Sequence, residues 1–187
     1  MDSSKPGGEL DDRDVVARVQ SGDREAFGIL VSRYQKMVFA LAQRMTGSPE
    51  EARDVVQTSF LNAFRQIGRF RGDASFKTWV YGIALNECRM LYRKSGRTVA
   101  MDAVAEPVAP PPGGHALNRL VLGKMVERLP EKQRAALVLR ICDDLPFRDI
   151  GEILGTSEAS AKVNYFHAVK KLRGWVRPDP DEEEGGS

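Results

Sequence analysis

The residues best suited to chemistry lie between positions 70 and 94, where aromatic and basic side chains are mixed more densely than elsewhere in the chain. Aromatic rings stack on unpaired bases and arginines follow phosphates, so the mixture favours a surface for single-stranded or melting nucleic acid. On a helix that starts near Ser75, one face would carry a ring, an amide and two cations: Trp79, Gly82, Asn86, Arg89 and Arg93. The alternative is that Phe76, Trp79 and Tyr81 pack the core, and we expect this of at least one of them.

The sequence offers no clear groups for catalysis or for binding a metal. Its two cysteines and two histidines lack the close spacing of a zinc site. We find no nucleophile–base pair in the sequence and no glycine loop that would cradle a phosphate. The sequence therefore predicts a protein that is not an enzyme and that holds no cofactor and no metal.

Charge and hydropathy limit the location of the protein and the class of its partners. The formal net charge is +2, but two basic blocks, 15–97 and 119–177, are separated and flanked by acidic segments. This pattern fits two modules that touch one polyanion, although solvated basic faces would produce it too. The N-terminus is polar and acidic, and no apolar run approaches the ~20 residues of a membrane span. We therefore expect a cytoplasmic protein with reduced cysteines and no membrane insertion.

Helical signals divide the chain into two parts. Caps and helical spacing predict a first helical module at 12–97, after a disordered segment at 1–11. Within it, one helix is predicted to end at Gly47, and Ser48 is predicted to cap the next helix, with Pro49 at its first position. Three consecutive prolines and two glycines indicate a flexible linker at 98–117. A second helical module is predicted at 118–177, followed by an acidic, disordered tail at 178–187. We expect an all-α fold of two small helical domains on a flexible Pro/Gly-rich linker, which move semi-independently in the free protein.

The second module contains the pattern of a helix-turn-helix. A short apolar helix leads to a tight turn at Gly155, and Ser157 is expected to cap a longer helix. One stripe of the longer helix is polar, with Lys162 and Phe166 beside it: Ser160, Asn164, His167 and Lys171. Short donors and acceptors at this spacing suit the major groove of DNA. An ordinary helical hairpin is the alternative interpretation.

Three stretches carry a wider resemblance: "DVVQTSFLNAF", "FRGDASFKTWVYGIALN" and "LPEKQRAALVLRICDDLPFRDIGEILGTSEASAKVNYFHAVKKLR". They resemble bacterial RNA polymerase sigma factors of the extracytoplasmic-function (ECF) group. The order of the stretches, the proline-rich linker and the length match that family from about Asp12 to Arg173. The resemblance implies three partners, namely core RNA polymerase, promoter DNA and an anti-sigma factor.

The resemblance also implies a role for each part of the chain. The first stretch would bind the clamp helices of the polymerase largest subunit, through Asp54, Val55, Gln57, Thr58 and Leu61. Of these, Asp54 and Gln57 lie off the apolar face of their helix, as a docking surface needs. The second would melt the minus-ten element and hold an unpaired base, through Phe70, Arg71, Asp73, Ser75, Phe76, Lys77, Trp79, Asn86, Arg89 and Arg93. The helix-turn-helix would read the minus-thirty-five element, through Arg140, Ser160, Lys162, Val163, Asn164, Phe166, His167 and Lys171.

The chain departs from the family pattern at a few of these positions. Thr58 replaces the usual glutamate, and Asn164, His167 and Val169 stand where arginines are common. We therefore expect a tuned polymerase contact and an altered minus-thirty-five preference. The expected function is that of an ECF sigma factor. The alternative is a stand-alone helix-turn-helix regulator, which would need neither a single-strand surface nor a long tether.

Overall fold

The computed structural model describes residues 10–94 and 123–176, which form helices and no strand. The helices are α1 (Asp12–Gln20), α2 (Phe27–Thr46), α3 (Pro49–Gln66), α4 (Phe76–Lys94), α5 (described over 123–127), α6 (Glu131–Cys142), α7 (Phe147–Leu154) and α8 (Glu158–Val176). Short 3₁₀ turns at Arg24–Ala26 and Ile67–Arg69 precede α2 and follow α3. The all-α prediction is confirmed. The predicted linker and acidic tail lie outside the described residues. None of the helices within the described ranges has the length and hydropathy needed to cross a membrane.

Capping interactions set the ends of the helices in the first module. Helix α2 stops at Gly47, whose φ of 73° lies in the left-handed region that glycine adopts easily. Ser48 then caps α3, because its hydroxyl accepts a hydrogen bond from the Glu51 amide at 3.3 Å. Pro49 occupies the first helical position, where its missing N–H is not needed. These ends agree with those predicted from the sequence.

The core of the first module forms where α2, α3 and α4 pack on one another. Leu30 of α2 and Leu85 of α4 have no exposed surface. Phe60 of α3 meets Phe27 of α2 edge to face, with ring centroids 6.4 Å apart. Burying one such side chain contributes about 1.5–3 kcal/mol, so this module can hold exposed functional groups on a stable base.

The second module is the predicted helix-turn-helix. Gly155 turns the chain with a φ of 64°, and the Ser157 hydroxyl accepts from the Ser160 amide at 3.1 Å to cap α8. Gly151 in α7 lies against this turn so closely that a Cβ there would be 2.9 Å from the Thr156 carbonyl oxygen. The turn therefore requires glycine twice, once for backbone conformation and once for space.

The two modules pack against each other. Helix α7 lies on α4, and α6 lies against α2. Ala135, Ile150 and Ile153 of the second module belong to the same buried cluster as Leu30 and Leu85 of the first. This arrangement differs from the semi-independent movement that we expected. Linker composition sets how far two modules can separate, whereas complementary apolar faces decide whether they stay together.

Candidate polymerase and nucleic-acid interfaces

The docking face lies along the outer side of α3, and we define it by Asp54, Gln57, Thr58 and Leu61. All four side chains are exposed, and they follow one another at helical spacing, so they form one stripe. Leu61 is 48% exposed and provides an apolar contact among polar neighbours. An apolar centre with a polar rim is typical of protein–protein interfaces.

Val55 is a correction to the predicted docking residues. Its side chain is 2% exposed and belongs to the core of the first module. Ala52 and Ser59, about one turn before and after it, are buried as well. Val55 therefore lies on the inner side of α3 and supports the docking face without reaching a partner.

An aromatic cluster supports the loop that precedes α4. The ring centroids of Phe70, Phe76 and Trp79 lie 5.0 to 6.0 Å apart. Phe76 is 2% exposed and also contacts Tyr34, so our prediction that Phe76 stacks on bases is a second correction. Tyr81 is fully buried too. Phe70 and Trp79 are half-buried and keep part of their rings available for stacking.

Gln20, at the end of α1, holds this loop in place and was missed in the sequence analysis. Its side-chain amide donates to the Ile67 carbonyl at 2.8 Å and to the Phe70 carbonyl at 3.0 Å. These two carbonyls belong to the first residue of the 3₁₀ turn after α3 and to the residue that ends the turn. Because the partners are 47 and 50 residues from Gln20 in the chain, no local pattern could have identified it.

The remaining loop residues lie at the surface around the start of α4. Ser75 caps the helix, since its hydroxyl accepts from the Thr78 amide at 3.0 Å. Arg71 and Asp73 are exposed. The Lys77 ammonium lies 5.7 Å from the centroid of the buried Tyr81 ring, which brings a cation close to the aromatic cluster.

The outer side of α4 carries the predicted amide and arginines. Asn86 and Arg93 are exposed, and Arg89 is half-buried. Arg89 Nη1 donates to Asn86 Oδ1 at 3.0 Å, so the structure brings these two predicted residues together. Arg89 Nε donates to the carboxylate of Glu131, the first residue of α6. We define the capture surface by its accessible members: Phe70, Arg71, Asp73, Ser75, Lys77, Trp79, Asn86, Arg89 and Arg93.

Two groups beneath the capture surface, the Tyr81 hydroxyl and the Cys88 thiol, have pKa values above their ordinary ones. Burial raises the pKa of the Tyr81 hydroxyl, and the nearby Asp143 carboxylate, which accepts from that hydroxyl at 2.9 Å, raises it further. Burial also raises the pKa of the Cys88 thiol to about 12. Neither group therefore supplies a charge or a nucleophile at neutral pH. Across the described ranges, no three His, Cys, Asp or Glu side chains gather into a metal site.

The reading face lies on the outer side of α8, and we define it by Lys162, Val163, Phe166 and His167. All four are exposed, with Val163 and Phe166 at 51% and 53%. Ser160 and Asn164, which we predicted in the same surface, are half-buried. The Asn164 side-chain amide donates to the Ser160 carbonyl at 2.8 Å within the helix. Lys171 is half-buried, two turns beyond Asn164.

Arg140 stabilises the turn between α6 and α7. Its Nη1 donates to the Leu145 carbonyl at 3.0 Å and lies 3.2 Å from the Asp144 carboxylate. The guanidinium is 5.4 Å from the Phe147 ring centroid. The side chain is still 37% exposed, so a phosphate contact by Arg140 stays a prediction alongside this structural role.

Arg134 is a buried cation at the boundary of the two modules, and the sequence analysis missed it. It is 4% exposed. Its Nη1 donates to the Met45 carbonyl at 2.7 Å and to the Tyr92 hydroxyl at 3.0 Å. The Tyr92 hydroxyl also donates to the Met45 carbonyl. One feature of the sequence could have indicated that Arg134 is buried: it directly precedes five consecutive apolar residues, 135–139, in α6.

Comparison with known proteins matches both modules to one family. Residues 30–98 match the family model Sigma-70 region 2, and residues 119–172 match Sigma-70, region 4. The RNA polymerase sigma-H factor of Pseudomonas aeruginosa is 32% identical over 182 residues, which cover 89% of this chain and 94% of that protein. The ECF RNA polymerase sigma-E factor of Haemophilus influenzae is 34% identical over 190 residues, which cover 91% and 97%.

Two solved structures have a similar fold. CnrH, in complex with the cytosolic domain of CnrY, matches with a TM-score of 0.68 at 27% identity, over 90% of this chain and 98% of that chain. The sigma factor RpoE of Bartonella quintana, in complex with the anti-sigma factor NepR, matches with a TM-score of 0.64 over 80% and 95% of the two chains. The identity to RpoE is 23%, so that likeness concerns the fold alone.

Proposed function

This chain belongs to the RNA polymerase sigma factors of the ECF group, and we propose that its three exposed surfaces divide the work of promoter recognition. As a member of that family it binds core RNA polymerase and directs transcription initiation at promoters. The observation that supports this division of roles is the order of three surfaces along the chain. The first is the docking face with its polar rim, the second is the aromatic and basic capture surface, and the third is the reading face of the helix-turn-helix.

The docking face takes the polymerase, at the clamp helices of the largest subunit. Asp54 and Gln57 provide polar contacts and Leu61 provides an apolar one, all on the same side of α3. Thr58 lies among them where the family usually has a glutamate. A hydroxyl in place of a carboxylate removes one charge from this contact, which supports a tuned affinity for the polymerase.

The capture surface takes the open strand of the minus-ten element. The partly exposed rings of Phe70 and Trp79 are suited to stacking on unpaired bases, and Arg71, Arg89 and Arg93 to phosphates. Binding energy of this kind favours the melted strand over the closed duplex. The protein would thereby open DNA without a chemical reaction of its own, as a protein that is not an enzyme and uses no cofactor.

The reading face takes the minus-thirty-five element in the major groove. Lys162 is placed to meet a phosphate, and His167 to meet a base edge, with Val163 and Phe166 between them as apolar contacts. Ser160, Asn164 and Lys171 border this face. Arg140 would add a phosphate contact from α6 while it holds the turn.

The cellular setting completes the proposal. The protein acts in the cytoplasm, where RNA polymerase and DNA are found, and an anti-sigma factor is its expected inhibitor. CnrH, which has a similar fold at 27% identity, was solved in complex with the cytosolic domain of another protein, CnrY, which supports a regulatory partner for this chain. A stand-alone regulator of duplex DNA is not favoured, because the capture surface would have no role in it.

We expect an Asp54→Ala, Gln57→Ala double variant to bind core RNA polymerase about tenfold or more weakly, since two of the three polar side chains of the docking face are removed. Fluorescence anisotropy with labelled protein and purified core polymerase measures the loss. Lys36→Ala, an exposed change on α2, is the control and should bind normally. Normal polymerase binding by the double variant would contradict the assignment of the docking face.

Two substitutions on the reading face should have different effects on DNA binding. Lys162→Ala should weaken binding to every sequence and reduce the slope of log affinity against log salt by about one, because one phosphate contact is lost. His167→Ala should instead alter the preference among minus-thirty-five sequences, by roughly 1–3 kcal/mol at the base that it meets. Holoenzyme titrations at several salt concentrations separate the two effects. An equal loss on all sequences for His167→Ala would exclude base reading by this residue.

A further inference from the structure

We propose that α1 positions the strand-capture machinery, and that Gln20 is its main positioning residue. The helix holds the capture loop, which we define as residues 70–75, in the shape that presents Phe70 to an unpaired base. The part of this proposal that concerns DNA rests on the proposed role of the capture surface. The part that concerns the shape of the loop rests only on contacts within the first module.

The capture loop receives little support from its own backbone. Among the described residues, the backbone of 71–74 makes no hydrogen bond to another backbone group. Such bonds are found at the two ends of the loop, where the Phe70 amide donates to the Ile67 carbonyl at 3.0 Å and the Trp79 amide to the Ser75 carbonyl at 3.0 Å. A segment with so few backbone bonds keeps one shape only when side chains hold it.

Gln20 makes two of these side-chain contacts at the first end of the loop. Its Nε2 lies 2.8 Å from the Ile67 carbonyl oxygen and 3.0 Å from the Phe70 carbonyl oxygen. The Ile67 carbonyl also accepts from the Phe70 amide, so one carbonyl takes part both in the turn and in the contact with α1. The Gln20 amide thus fixes the direction in which the chain leaves α3 and enters the capture loop.

The other end of α1 reaches the same loop through aromatic rings. Asp12 Oδ1 accepts from Arg33 Nη1 at 2.7 Å, and Asp12 Oδ2 accepts from the Tyr34 hydroxyl. The centroid of the Tyr34 ring lies 5.5 Å from that of Phe76, and Phe76 packs on Phe70. Helix α1 therefore acts on Phe70 from both of its ends, through the backbone at one and through rings at the other.

The middle of α1 is fixed in the core, so the loop is held against a rigid neighbour. Val15, Val16 and Val19 are buried, and Val16 lines a cleft of about 310 Å³ together with Phe70 and Phe76. Close packing leaves such a helix little freedom to move. A loop that is already in its bound shape loses less conformational freedom when it binds DNA, which raises its affinity for the strand.

Gln20 can be changed without unfolding the protein. Its side chain is exposed, and water replaces most of the hydrogen bonding that an exposed group loses. We expect Gln20→Ala and Gln20→Glu to fold and to bind core RNA polymerase normally. Glutamate keeps the size of the side chain but has no donor when ionised, so it separates hydrogen bonding from packing. Arg18→Ala is the matched control, because Arg18 also makes two side-chain hydrogen bonds at this end of α1, but to Asp23.

The fluorescence of Trp79 tests whether Gln20 holds the loop. The chain has two tryptophans, so a Trp175→Phe background leaves Trp79, whose ring centroid lies 5.0 Å from that of Phe70. Acrylamide should quench Trp79 at least about twofold more strongly in the free Gln20→Ala and Gln20→Glu proteins than in the parent or the Arg18→Ala protein. Equal quenching in all of these proteins would overturn the positioning role, whatever the loop binds.

Binding of a single strand tests whether this position matters for capture. The probe is a fluorescent oligonucleotide with the non-template minus-ten segment of a promoter selected with wild-type holoenzyme. Holoenzymes with Gln20→Ala or Gln20→Glu should bind it about three- to tenfold more weakly, and Arg18→Ala as wild type does. Stronger quenching with unchanged oligonucleotide binding would overturn the link to capture. If Phe70→Ala also bound normally, the capture role itself would fail, while quenching would still decide whether α1 holds the loop.

Discussion

An Asn86→Ala, Arg89→Ala double variant is expected to bind core RNA polymerase normally and to form open complexes on duplex promoter DNA far less well than wild type. Each lost contact to the open strand is worth roughly 1–3 kcal/mol, a ten- to hundredfold change. Neither side chain belongs to the core of the first module, and the docking face lies on a different helix. Permanganate footprinting of the melted region, at matched holoenzyme concentrations, measures the loss.

Two controls test whether that loss arises from strand capture. A template with a pre-opened bubble should rescue part of the activity, because melting is no longer required, although the strand contacts remain absent. Glu131→Gln removes the charged partner of Arg89 from the second module but keeps Arg89 itself. It should leave open-complex formation by the holoenzyme intact. Normal melting of duplex DNA by the Asn86→Ala, Arg89→Ala protein would show that these two residues of α4 have a structural role and do not hold the open strand.

A Gly151→Val substitution is expected to disrupt the helix-turn-helix. Even the Cβ would lie 2.9 Å from the Thr156 carbonyl oxygen and 3.0 Å from the Ser157 carbonyl carbon. Since both are backbone atoms, the turn must shift, at about 1–3 kcal/mol of folding free energy. We expect faster hydrogen exchange of the α7 and α8 amides and weaker binding to the minus-thirty-five element, with polymerase docking retained.

A second glycine supplies the comparison for Gly151→Val. Gly174 lies in α8 with nothing within 4 Å of the position that its Cβ would take. Gly174→Ala should therefore be neutral or stabilise the helix by about 0.5–1 kcal/mol, because alanine favours the helix more than glycine does. Wild-type exchange rates in Gly151→Val would show that the turn tolerates a side chain, contrary to its geometry.

Local chemistry allowed much of the fold to be predicted. Gly47, Ser48, Gly155 and Ser157 mark helix ends through interactions with residues a few positions away, so the sequence alone contains both partners. The outer position of Asp54 and Gln57 followed from helical spacing in the same way. These features depend on one helix at a time, which is why they agree with the structure.

The corrected residues depended on neighbours from other helices. Val55 was assigned to the docking face by resemblance. It is buried because the rest of the module covers a wide part of the α3 surface, which includes Val55. Phe76 adjoins basic residues in the sequence, but its environment is set by Tyr34 of α2 and by Phe70 and Trp79. Whether an aromatic residue near cations stacks on a ligand or on other rings depends on the tertiary structure, which the neighbouring residues in the sequence do not determine.

The packing of the two modules against each other could not be predicted from the composition of the linker. Arg134 lies 89 residues from Met45 and 42 from Tyr92, so their pairing leaves no periodic signal. One indication was present in α6. Residues 135–139 are apolar without interruption and all are buried, which is typical of a helix enclosed on every side. The other helices of one small module would not cover it fully.

The exposure of the docking face gives an order to assembly. Asp54, Gln57 and Leu61 point outward, whereas the Arg89 guanidinium is already paired with the Glu131 carboxylate. Polymerase therefore meets outward-facing side chains, whereas a strand phosphate must first displace a carboxylate from Arg89. The protein would accordingly reach promoters already bound to the enzyme that it directs.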